Sequence, residues 1–306
     1  MVTREATRTT QPNVTTAKPL VLIVRSEHLK YAQNADERDA LLQQLHDVVH
    51  ARDVLITLAA AIYAPVNIYA DGLTKEFCDG YVNPLVDTFV HKFREVTGGN
   101  PNAFIGIPPA DMFRTGMLAA ADYYSVESML KAIPGEYHRP GGLKTGFNLS
   151  QFEIDAFALM LATVKYYGMD IKVCPSEKDE SSLDERAEAH RQNNKHLIGL
   201  TNNLLDLNLY ARVAGDLTGS GRRGIVYLGN AHELEPFRVT PLLEVDWIDV
   251  KRENGRVVVD GTLPYRQSAT SDAVVRMRQS VTAELQKTIS TGVIVNLTLR
   301  PSANFT

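Results

Sequence analysis

Leu20-Val21-Leu22-Ile23-Val24, followed by Arg25-Ser26-Glu27-His28, is one of two stretches that decide how this chain is read. Its counterpart is Gly224-Ile225-Val226-Tyr227-Leu228, followed by Gly229-Asn230-Ala231-His232. Both runs are short, apolar and rich in branched residues, without polar alternation. Such runs are strands buried on both faces, as in a parallel sheet. Each ends in a turn that carries a histidine. In open α/β sheets, ligands and catalysis gather at the carboxyl ends of strands. The expectation is that His28 and His232, from opposite ends of the chain, meet over one pocket.

The intervening sequence supplies matching elements. Ala40, Leu41, Leu45, Val48 and Val49 recur at helical spacing. Val54 to Ile62 is apolar throughout and fits helix or strand; Leu58-Ala59-Ala60-Ala61 favours helix, stopped by Pro65. Val66 to Ala70 is a second strand, ending at Asp71-Gly72. Thr74 to Val96 is helical with an interruption near Pro84, and Thr97-Gly98-Gly99 stops it. Met112 to Ala132 and Asp155 to Tyr167 are further helices. Asp170 to Cys174 is a third strand, and Leu183 to Leu209 one long helix. Beyond residue 235, Leu242 to Val250 and Arg256 to Val259 are strands joined by the hairpin signal Asn254-Gly255. Ala273 to Ser290 is a helix, and Ile294 to Leu299 alternates as an edge strand does. The alternation of strand and helix predicts an α/β fold, a mainly parallel or mixed sheet flanked by helices in a single large domain. Residues 1–18, polar and Thr-rich, read as a disordered arm. Residues 19–306 read as the domain.

Composition sets limits. The chain has 306 residues, is 44% hydrophobic and 22% charged, and carries a formal net charge of −4. It is long enough to bury a core without disulfides. The charge balance argues against a nucleic-acid binder, which shows a basic patch or stripe. Arg222-Arg223, in a Gly/Ser-rich turn, reads as a solvated loop. Cys78 and Cys174 have no metal-type spacing. No apolar run approaches membrane-helix length, and the amino terminus lacks a secretory pattern, so a cytoplasmic protein is expected.

Glu27, Asp71 and Glu177 lie at or beyond strand ends. If their strands are parallel neighbours, these carboxylates reach the sheet edge that carries the histidines. Two histidines with one or two carboxylates suit a divalent metal or acid–base work. His28, His232 and Asp71 are then the candidate metal ligands, and Glu27 joins them as a catalytic candidate. Glu177 sits in a charged loop, where solvation is the simpler reading. Gly229 allows a ligand close to the main chain. Arg186, Arg191, Asn193 and Asn194 start the long helix on what reads as an exposed face, although arginine also suits an oxyanion or carboxylate. His46 and His50 share i, i+4 spacing without an accompanying glutamate, on a helix that reads as core-packing or solvated. No dinucleotide, triphosphate or serine-hydrolase signature is present.

The order of these features resembles the superfamily that includes erythromycin esterase, the TraB proteins, the ChaN haem-binding lipoproteins and the Tiki proteases. The likeness covers roughly residues 20–235. Gly229-Asn230-Ala231-His232 matches its second motif, Glu27-His28 fits the first, and Arg191 with Asn194 resembles its helix before the last strand. Arg25 stands where the first motif has glycine, and Asp71 where glutamate is usual. The resemblance implies a hydrolase acting on an ester or peptide bond of a small-molecule or peptide substrate, with His28, His232, Glu27 and Asp71 catalytic and Arg191, Asn194 and Gly229 binding substrate. The residue set itself allows a divalent metal as cofactor, or direct acid–base action without one. The resemblance also allows haem binding, with the loop around His138 and the tyrosines contributing, or a degenerate member acting as an interaction protein.

Overall fold

The computed structural model describes residues 17–26, 55–56, 59–100, 151–253, 256–261, 272, 275–276, 279 and 294–295. Glu27, His28, His46, His50, His138 and the helix at 112–132 therefore lie outside the described residues.

The first strand is β1 (Leu20–Ser26), and the run that predicted it is fully buried from Val21 to Val24. β2 (Val66–Ala70) and β3 (Ile171–Pro175) follow, then β4 (Arg223–Gly229), β5 (Glu244–Glu253), β6 (Arg256–Gly261) and β7 (Ile294–Val295). They form one seven-stranded sheet in the order β3-β2-β4-β1-β5-β6-β7. Pairings from β3 through β5 are parallel; β6 runs antiparallel to β5, and β7 is parallel to β6. The sheet is mixed and mostly parallel, with helices flanking it, as expected for an α/β domain.

The continuous apolar runs follow from two cores. Leu22 and Val24 point into one, with residues 59–63, α1 (Asn83–Thr97) and α2 (Gln151–Tyr166). Val21 and Ile23 point into the other, with α4 (Lys195–Leu217) and α5 (Glu235–Arg238). Period-2 geometry sends alternate side chains to opposite faces, so a strand covered on both sides has no polar position to alternate with. Each such side chain contributes about 1.5–3 kcal/mol of burial.

Residues 59–63 are helical, in line with the alanine content, and the helix ends before Pro65. Near Pro84 the chain does not break. A helical turn, Lys75–Phe77, passes through a π-turn, Cys78–Val82, into α1. The segment expected as one long helix is two: α3 (Glu180–Arg191) and α4. Asn193 takes a left-handed φ of 48°, and the Asn194 side chain accepts from the amides of His196 and Leu197 at the start of α4. Asparagine tolerates that backbone and caps helices, so the break needs neither glycine nor proline.

Glu253 pairs with Arg256 across the hairpin, and β7 lies at the sheet edge as predicted. Gly261 closes β6 at φ 134°, where an added Cβ would meet the Trp247 carbonyl oxygen at 2.4 Å. Gly261→Ala is expected to cost about 1–3 kcal/mol from backbone strain and that clash, read as a lower urea midpoint with an unchanged slope.

Arg222-Arg223 is not a solvated turn. Arg222 bonds the Val66 carbonyl at 2.9 Å and the Asn67 side-chain oxygen at 2.6 Å, and pairs with Asp170; Arg223 opens β4. These contacts close the amino ends of the strands, opposite the candidate site.

The strand order places that site. From β1 the chain steps to β2 and β3 with helices on one face. It then returns to β4 and β5 with α4 and α5 on the other, as crossovers of a single hand require. β2 and β4 are neighbours whose onward connections leave in opposite directions. Their carboxyl ends therefore flank the kind of crevice where open α/β sheets bind ligands.

Candidate active site

β4 ends at Gly229, and its register puts Ser26 of β1 opposite Gly229 and Ala70 of β2 opposite Tyr227. The Asn230 amide donates to the Ser26 carbonyl at 2.9 Å, and the His232 amide to the Gly229 carbonyl at 3.2 Å. The turn folds the imidazole inward, where His232 is 2% exposed.

Two groups hold it. Arg25 grips both carboxylate oxygens of Asp249 at 2.7 and 2.8 Å and donates to the His232 carbonyl at 3.2 Å. Asp206, buried on α4, lies 2.8 Å through Oδ1 from His232 Nδ1 and accepts from the Leu234 amide at 2.9 Å through Oδ2. With Asp206 as a carboxylate acceptor, Nδ1–H is the donor, which leaves Nε2 to accept when the ring is neutral.

The acids at the ends of β2 and β3 meet one guanidinium. Asp71 follows β2, and its amide donates to the Tyr227 carbonyl at 2.9 Å. The turns after β2 and β3 are bonded together: the Leu73 carbonyl accepts from the amides of Ser176 and Glu177, and the Leu73 amide donates to Ser176 Oγ. Arg186 of α3 reaches in between. Its Nη1 donates to Asp71 Oδ1 at 3.2 Å and to Glu177 Oε1. All three side chains are buried. Burial pushes the Glu177 carboxyl above its ordinary value; Arg186 pulls it down, Asp71 pushes it up, and His232 is near enough to lower it slightly. Burial opposes the charge on Arg186, but Asp71 and Glu177 together hold its pKa above the usual value.

Two readings from the sequence are corrected. Glu177 is 1% exposed and not solvated, and Arg186 is buried in an ion pair and not on an open helix face. Arg191 is exposed and pairs with Glu188, away from the cluster. Asn194 uses its side-chain oxygen as the α4 cap. Neither is brought to the Asp71–Glu177 cluster. Gly229 is buried where β4 turns toward His232. Asp206 was overlooked, although it shares the α4 face of Leu209 and Val213, where an acid amid buried aliphatics signals a built contact.

Asp71, a candidate metal ligand, has its Oδ1 engaged by Arg186. Among the described residues no group of three His, Cys, Asp or Glu side chains is disposed to hold a metal ion. The buried thiols are poor nucleophiles: burial raises Cys174 to about 11 and Cys78 further. Ser26 Oγ lies 2.8 Å from the Tyr227 hydroxyl. That contact is on the face of the sheet opposite α4. Among the described residues no helix is long and apolar enough to cross a membrane.

A scan against protein-family models, a search of the curated proteins and a search of the solved structures returned no match.

Proposed function

We propose that the protein is a hydrolase of ester or peptide bonds whose general base is His232, oriented by Asp206. The observation that carries this reading is the buried Nδ1–Asp206 contact of 2.8 Å beside the Asp71–Arg186–Glu177 cluster, at the crevice between β2 and β4. A buried histidine aimed by a carboxylate is the recurrent arrangement for moving one proton.

His232 Nε2 takes a proton from water, and the oxygen attacks the carbonyl carbon. Glu177, in the protonated form that burial favours, gives its proton to the leaving oxygen or nitrogen as the carbon–heteroatom bond breaks. The proton on His232 returns through solvent to Glu177, and acid and alcohol or amine leave. Arg186 holds the Glu177 carboxylate that this proton donation leaves beside Asp71. These steps use side chains alone. Glu27 and His28, which follow β1 in sequence and lie outside the described residues, remain candidates for the same pocket, and His28 with His232 for a metal.

The test is the pH dependence of kcat/KM on 4-nitrophenyl esters and a fluorogenic peptide panel. Activity is expected to fall as pH rises through the elevated Glu177 value, and Glu177→Gln to lower it about 10²-fold and remove that limb. Stability has the same sign. With the folded value raised, the stabilisation is complete below the ordinary glutamate pKa of about 4.3 and is lost as pH rises through the folded value. Urea midpoints across pH should show that slope in wild type and lack it in Glu177→Gln. Turnover that ignores both Glu177 and His232 would overturn the assignment.

A further inference from the structure

We propose that the outward face of α4 is a self-association surface, covered by the same face of a second copy of this chain in a two-fold helix–helix contact. This stands apart from the hydrolytic reading, and its test needs no turnover.

α4 carries leucine on both of its faces. Leu209, Val213 and Leu217 are buried against the sheet. On the opposite side Leu200, Leu204 and Leu207 are 49%, 47% and 55% exposed, and Ala211 continues the stripe. A helix that is apolar all round is ordinarily covered all round. Among the described residues six large apolar side chains are exposed, and five of them gather here, the other two being Val239 and Leu242 just after α5. The Tyr210 hydroxyl, one turn beyond Leu207, lies 2.7 Å from Thr240 Oγ1, and the same oxygen accepts from the Leu242 amide at 3.1 Å. The stripe therefore continues onto the segment after α5. Single exposed leucines need no explanation, but a contiguous apolar patch marks a contact surface.

The spacing gives the shape of the partner. Leu200, Leu204, Leu207 and Ala211 follow one another at intervals of four, three and four residues. That is the alternation of a coiled-coil seam, which packs against another helix. The flanks give the partner's chemistry. From Leu197 to Ala211 the one charged side chain is Asp206, which is buried against His232, although charged residues make up 22% of the chain. The exposed flanking side chains are the amides of Asn203 and Asn208. A two-fold contact sets a patch against itself, so charged flanks of one sign would repel. An amide has donors and acceptors together and complements its own copy. A foreign helix chosen by flanking charges finds none to read here. A lipid surface finds no lysine or arginine within the stripe to hold its headgroups. A second copy is the occupant these residues fit. The patch is smaller than the roughly 20–30 residues a side of a standard interface, so a weak dimer is expected, with Kd on the order of 10 µM.

Sedimentation equilibrium is the test. Wild type loaded at about 1 to 200 µM should show a monomer–dimer equilibrium that changes little between about 0.05 and 0.5 M salt, because no charge crosses the seam. Leu204 is the middle of the three exposed leucines and meets its own copy whether the helices run parallel or antiparallel. Leu204→Glu and Leu204→Lys, at a half-exposed position, should keep native far-ultraviolet dichroism. Each should weaken dimerisation by at least about tenfold, by setting like charges together. Mixing the two variants in equal amounts should restore the dimer, and salt should weaken that mixed dimer alone. A dimer that survives both substitutions, or two variants that fail to reassociate on mixing, would overturn the proposal. So would a wild type that stays monomeric throughout; if it then floats with phosphatidylcholine vesicles, the stripe belongs to a lipid surface.

Discussion

Arg186→Met is expected to destabilise the protein by about 3–5 kcal/mol. The wild-type cluster is two acids and one guanidinium, all buried. Removing the cation leaves Asp71, and Glu177 whenever it is ionised, with neither water nor a counter-charge. Domains of ordinary stability have about 5–15 kcal/mol in total, so the loss is a large fraction of it. Urea denaturation at neutral pH is the measurement, repeated at lower pH, where protonating the acids should recover part of the loss. A second variant separates lost charge balance from lost packing. Adding Asp71→Asn and Glu177→Gln to Arg186→Met should restore much of the stability, because no buried charge then remains. A midpoint unchanged by Arg186→Met would mean that the three side chains are not shielded from water together.

The second large effect falls on turnover. His232→Ala and Asp206→Asn are each expected to lower kcat by about 10²–10⁴-fold while the far-ultraviolet dichroism stays native. The two act by different routes. Alanine removes the base. Asparagine keeps an oxygen for the Leu234 amide, held at 2.9 Å, but turns an N–H₂ toward Nδ1. That favours the tautomer with its proton on Nε2, so the ring donates where it should accept. Because the residues act as one unit, the double variant should be little worse than either single. Losses that multiply would assign Asp206 a role independent of His232.

Much of this site was legible in the sequence because it sits on strand ends. A buried run such as Leu20–Val24 or Ile225–Leu228 announces a two-sided strand, and whatever follows it lies at a sheet edge. Asp71 and His232 were found in that way. Arg186 and Glu177 were named from sequence yet read as solvated, because charge in a loop or an early helical turn is ordinarily exposed. Only the pairing of β2 with β3, and α3 folded back over that edge, shows that they meet each other. Asp206 needed the same information, since nothing local tells an acid on a leucine-rich helix which partner it faces. The break at Asn193-Asn194 was missed for a local reason: asparagine ends and starts helices without the usual punctuation of glycine or proline.

The sequence alone determined the class of fold, the strands and the sheet edge to which Asp71 and His232 belong, because burial on both faces and helical periodicity are properties of short windows. The tertiary structure decided which strands are neighbours. β4 enters between β1 and β2, so His232 arrives beside Asp71 and not at a distant position on the same edge. Strand order arises from the free energy of the whole packed sheet, with helices on both faces. No window of residues encodes that sum, and the contacts His232–Asp206 and Asp71–Arg186–Glu177 exist only once it has been settled.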